Sequence, residues 1–95
     1  MEVQEAIRRA KEYVLDVFRD EEPTNVGLEE VEFDDREDVW NVTIGFSRPW
    51  NSTKSVMASL AGEQPPKKRA YKVVRLRDSD GKMIAIKRRD VLAVD

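Results

Sequence analysis

The chain has 95 residues, 40% of them hydrophobic and 38% charged, with a formal net charge of −2 and neither cysteine nor histidine. That length supports one domain built around a single core. The two missing residue types exclude disulfides, thiolate metal sites, and histidine as general base or metal ligand.

Charge is distributed unevenly. Residues 1–46 hold 5 Lys/Arg against 14 Asp/Glu, a net −9, and residues 47–95 hold 12 against 5, a net +7. Two readings stand: the halves neutralise each other within one fold, or a basic face steers an acidic partner. The opening MEVQEAIRRAKEY lacks the apolar segment of a signal peptide. No run approaches the roughly 18 apolar residues that span a membrane. The expectation is a soluble cytoplasmic protein of bacterial style.

Residues 2–20 predict a helix. Val3, Ala6, Ile7, Ala10, Val14, Val17 and Phe18 recur at spacings of three and four and form one apolar stripe. Arg8, Arg9, Glu12, Asp16 and Arg19 take the other side, and their mixed signs suit a helix laid on a sheet better than one laid on a membrane. Pro23 places the helix end near residues 20–22.

Beyond Pro23 the period becomes two. Val26 and Leu28 precede Val31 and Phe33 with a slip of phase, which predicts either a β-bulge at Glu29 and Glu30 or a strand starting after them. A polar turn follows at residues 34–38. Trp40, Val42, Ile44 and Phe46 then alternate with Asn41, Thr43 and Gly45 as the clearest strand. Trp40, Ile44 and Phe46 are expected to face Ile7, Ala10, Val14 and Val17. Pro49 ends that strand at Ser47.

Residues 48–69 read as a long flexible loop, with a short helix over 53–61 as one alternative. Residues 70–77 predict a third strand, with Ala70, Val74 and Leu76 on one face and Tyr71, Val73, Arg75 and Arg77 on the other. DSDGK at 78–82 is a hairpin turn, with Gly81 supplying a positive φ. In the next strand Ile84 and Ile86 are expected inward, and Met83, Ala85 and Lys87 outward. The tail RRDVLAVD either adds a short apolar stretch or frays. The fold class expected is α+β: an N-terminal helix packed on a three- to four-stranded antiparallel meander, one domain over 1–95.

This order of elements, closed by a hairpin around DSDGK, resembles the PepSY-like or cystatin-like small domains. The resemblance is one of topology and covers most of the chain. It implies a helix packed across the strands and a protein-binding or inhibitory role, typically in exported or membrane-associated proteins. It assigns no functional residue.

Catalytic chemistry finds little support. The carboxylates of Asp34, Asp35, Asp78 and Asp80 fall in turns, where solvation keeps them ordinary acids. The serines at 47, 52, 55, 59 and 79 have no histidine to activate them. DSDG lacks the later ligands of a calcium loop. The NVT and NST triplets fit the glycosylation pattern but lack an export signal beside them. No enzyme, cofactor or metal is expected.

Binding finds more. KKR at 67–69, RLR at 75–77 and KRR at 87–89 are expected to converge, with Tyr71 beside Arg75 and Arg77. Such a face suits phosphates and a stacked base. Alternatively its charges pair with the acidic strand near Glu30 and Glu32. In SRPW, Trp50 and Arg48 are residue types enriched at interface hot spots, although a tryptophan there also caps cores. The candidate partner-binding residues are therefore Arg48, Trp50, Lys67, Lys68, Arg69, Tyr71, Arg75 and Arg77. The leading expectation is a non-enzymatic protein-interaction or regulatory module with an unknown protein partner; a nucleic-acid-associated protein is the alternative. A homodimer is a further expectation, through an uncovered sheet face to which Tyr71, Val73 and Met83 lend apolar surface, or through edge pairing.

Overall fold

A computed structural model describes residues 1–49 and 69–89. The expectations for Trp50, Lys67, Lys68, the loop interior, its alternative helix and the C-terminal tail lie outside the described residues.

Helix α1 spans Val3–Val17 and is followed by a 3₁₀ turn at Arg19–Glu21. Four strands come next: β1 Thr24–Asp34, β2 Val39–Ser47, β3 Ala70–Arg77 and β4 Met83–Arg88. They form one antiparallel sheet in the order β1-β2-β3-β4, and α1 packs across one face. The layout is the expected α+β one. No helix among the described residues is long and apolar enough to cross a membrane.

The core lies between α1 and the two central strands. Ala6, Ala10 and Val14 of the helix meet Val42, Ile44 and Phe46 of β2 and Val74 and Leu76 of β3, all fully buried. Register explains the match: Val42 pairs with Val74 and Trp40 with Leu76, so the even residues of both strands share the helix side. Small residues at 6 and 10 let the helix backbone approach closely, while Phe46 and Ile44 fill the space beneath. Trp40 lies at the rim of this core, half-buried, with its ring 5.0 Å from that of Phe33 across the β1–β2 pair.

Three inward assignments from the periodicity are corrected, and the first is Ile7, which is only half-buried and lies outside the core that Tyr13 packs against. Val17 is 51% exposed, because the helix stops there and Phe18 turns back to set its ring 5.4 Å from Phe46. The chain then leaves through the 3₁₀ turn and Glu22, at φ 52, instead of continuing as α-helix to residue 20.

In β4 the faces are exchanged at the start of the strand. Arg75 pairs with Ala85 but Leu76 with Met83, so one extra residue sits between those rungs. This bulge turns Met83 onto the core and leaves Ile84 45% exposed, whereas Ile86 keeps its inward place. Met83 therefore adds nothing to the face opposite α1.

The phase slip in β1 is a bulge within one continuous strand: Leu28 pairs with Ile44 and Glu30 with Thr43. A second irregularity, between Thr24 and Gly27, coincides with Asn25 at φ 53. Strand β2 ends at Ser47, as expected.

Candidate functional site

The face of the sheet opposite α1 is built from the odd-numbered residues of β2 to β4. Across β2 run Asn41, Thr43 and Gly45, all short. Across β3 run Tyr71, Val73, Arg75 and Arg77, and across β4 run Ala85 and Lys87, followed by Arg89. Arg89 extends the ladder, its N–H donating to the Tyr71 carbonyl at 3.0 Å. The RLR and KRR runs thus converge on one surface beside Tyr71, as the hairpin reading requires.

Apart from Lys87, these cations are already engaged. The bulge in β1 sends two successive glutamates to the same face. Glu29 reaches over Gly45 to Arg69, 3.6 Å away, and Glu30 reaches over Thr43 to Arg89. Arg89 also donates to the Thr43 hydroxyl at 3.3 Å. Arg75 donates to Asn41 Oδ1 at 3.1 Å and to the Glu37 carboxylate, and Arg77 to Asp80 at 2.9 Å. The pairing depends on the small residues of β2. Long side chains from both sides fold inward above them, which is why Thr43 and Gly45 are buried on a face that no helix covers among the described residues. The surface is a mosaic of paired signs with Tyr71, Val73 and Ala85 half-buried among them. Lys87 is exposed and makes no ion pair among the described residues.

Arg48 belongs elsewhere. It lies on the helix side, bonded to Glu21 at 2.8 Å, with its guanidinium 5.6 Å from the Phe46 ring centroid. Its side chain is 14% exposed, so it braces the 3₁₀ turn and is separated from Tyr71 by the sheet. Nearby, the Lys72 ammonium sits 5.3 Å from the Phe18 ring centroid; burial, and then the charge of Arg48, hold it below the usual lysine range. Arg69, Tyr71, Arg75 and Arg77 are thus brought together and Arg48 is not. Lys87, Arg89, Glu29 and Glu30 complete the surface. Their signal in the sequence was the KRR run and the slip of phase in β1.

The edges of the sheet differ. β1 is acidic, preceded by Pro23, and broken twice in register. β4 is regular from Ala85 onward, and residues 81–89 carry Lys82, Lys87, Arg88 and Arg89 with no acid. No protein-family model matches the chain, and neither a curated protein nor a solved structure matches it.

Proposed function

We propose that the chain is a small non-enzymatic protein-interaction or regulatory module of the cytoplasm, binding a protein partner on the side of its sheet opposite α1. The observation that carries this reading is the pairing of Arg69, Arg75 and Arg89 with Glu29, Glu37 and Glu30. A polyanion docking there would have to separate these pairs and lie against the displaced carboxylates, at a cost in both desolvation and repulsion. A protein surface of mixed sign meets no such obstacle. Tyrosine and arginine together supply the residue types that anchor protein interfaces. The resemblance to PepSY-like or cystatin-like domains leans the same way.

The second reading, nucleic-acid association, is favoured by Lys87, which is exposed and makes no ion pair among the described residues. Salt separates the two, because phosphate contacts weaken steeply with ionic strength and a mosaic interface responds weakly. Panning a random-peptide display library against the chain should converge on peptides that shift the Tyr71, Val73 or β4 resonances at physiological salt. A labelled single-stranded oligonucleotide should bind only at low salt. Tight, steeply salt-dependent oligonucleotide binding with no convergent peptide would overturn the protein-interaction reading.

A further inference from the structure

Every sheet of this kind has two edges, and here they are protected by different means. The β1 edge is interrupted by bulges at two places along its length and carries Glu29, Glu30 and Glu32. The bulges confine its regular pairing to Glu30–Asp34, and an acidic strand laid there would meet carboxylates of its own sign. The β4 edge has no such interruption after its first residues. Its rungs run regularly, Ala85 with Arg75, Ile86 with Val74, Lys87 with Val73 and Arg88 with Lys72.

The direction of its backbone follows from one hydrogen bond. Arg89 N–H donates to the Tyr71 carbonyl, so the 89–71 rung is a hydrogen-bonded one. In an antiparallel ladder such rungs alternate. Residues 87 and 85 therefore also turn their polar groups toward β3, and residue 86 turns its N–H and C=O away from it. No strand lies beyond β4 among the described residues.

The chemistry along this edge is polarised. Its first part is apolar, with Ile84 45% exposed and Ala85 and Ile86 half-buried. Its second part is basic, with Lys87 and Arg88 exposed and Arg89 held by Glu30 from across the sheet. Two copies of the edge are poor partners for each other. A two-fold axis at residues 87–88 would set these cations against one another, and one at Ile86 would set them opposite Met83, Ile84 and Ala85 with no counter-charge.

We propose that the outer edge of β4 takes an acidic extended peptide, which joins the sheet as an antiparallel fifth strand along residues 85–89. This rests on the protein-interaction reading and names the chemistry of the partner. An antiparallel strand reads the edge in reverse. Its N-terminal residues are acidic, facing Lys87 and Arg88 beside the Arg89–Glu30 pair, which stays closed, and its C-terminal residues are apolar and β-branched, facing Ile86 and Ile84. Backbone hydrogen bonds supply affinity and the charge order supplies polarity, as in other strand-addition modes.

The test uses a synthetic six-residue peptide of three acidic residues followed by Val-Thr-Val, together with its reversed sequence. The acid-first peptide should bind more tightly, and the Ile86 amide should gain protection from hydrogen exchange while those of Ala85 and Lys87 stay protected throughout. N-methylation of the peptide amides that face β4 should weaken binding on the order of tenfold, and methylation of the alternate amides should leave it unchanged. Lys87→Glu should weaken the acidic peptide by about tenfold and spare a neutral one. Equal tolerance of both methylation patterns would mean attraction by charge alone and would overturn the proposal. So would preference for the reversed peptide, or dimerisation through β4 without any peptide. Peptide-induced shifts confined to Tyr71 and Val73, with the Ile86 amide unchanged, would overturn it while leaving the protein-interaction reading intact. Oligonucleotide binding along β4 with no peptide binding at all would overturn both.

Discussion

Glu29 folds directly over Gly45: a Cβ built on that glycine would lie 2.8 Å from Glu29 Oε1 and 2.9 Å from Arg69 Nη2. The glycine leaves room for an ion pair to cross β2. Gly45→Ala should displace the pair, but its nearest atoms are the far ends of flexible side chains, and alanine relieves the entropic penalty of glycine in a strand. A partly exposed pair contributes little to begin with. The expected change in urea-unfolding free energy is therefore below about 1 kcal/mol. A loss several times larger would mean that the pair is an essential part of the fold.

Ile44 of β2 and Val17 of α1 stand at opposite extremes of burial. Ile44 is fully buried between α1 and the sheet, and Ile44→Ala should cost about 2–5 kcal/mol. Val17 is 51% exposed, so Val17→Ala should stay within about 0.5 kcal/mol. Urea midpoints of the two variants decide it. An unmoved midpoint for Ile44→Ala would overturn the placement of β2.

What the sequence made legible was local. Spacings of three and four exposed Ala6, Ala10 and Val14, and strict alternation exposed Val42, Ile44 and Phe46, because each pattern is complete within one element. The bulge at the start of β4 was not legible, since it is a property of two strands in register, and it exchanged Met83 with Ile84. The slip of phase in β1 was visible, but its consequence was not. That the two glutamates there meet Arg69 and Arg89 depends on the order of strands, and Glu30 and Arg89 lie 59 residues apart. The candidate site was read as a row of cations for the same reason. Composition shows the arginines, and only the assembled sheet shows their partners.

Gly81 combines two demands on one residue. Its φ is +70°, and a Cβ there would meet the Arg9 side chain at 2.8 Å. The backbone demand alone should make Gly81→Ala cost about 1–2 kcal/mol. The contact adds to it only as far as Arg9, which also bonds Glu5 at 2.8 Å, resists moving aside. A double-mutant cycle with Arg9→Ala separates the parts. The cost of Gly81→Ala should fall in the Arg9→Ala background but stay clearly above zero. If it vanished there, the turn conformation would carry no strain for alanine.

Asp78 links the β3–β4 turn to two distant groups. Its Oδ1 accepts from the Met1 ammonium and from Trp40 Nε1, each at 2.8 Å. The ammonium first, and the indole after it, hold the carboxyl below its ordinary value of 3.8. A carboxyl lowered on folding contributes stability that is present above 3.8 and is lost as pH falls through the lower folded value. The ammonium behaves in the opposite sense. The Asp78 hydrogen bond raises it above 8.0, so its contribution is present below 8.0 and is lost as pH rises through the raised value. The interaction should therefore be complete between these limits and decline beyond both. Stability followed against pH should show both limbs, and Asp78→Asn should flatten them together. In a Trp50→Phe background, emission from Trp40 should change along the acid limb and no longer do so in Asp78→Asn. An acid limb equally steep in Asp78→Asn would place its origin in other carboxylates and remove Asp78 as the residue that joins the turn to Trp40.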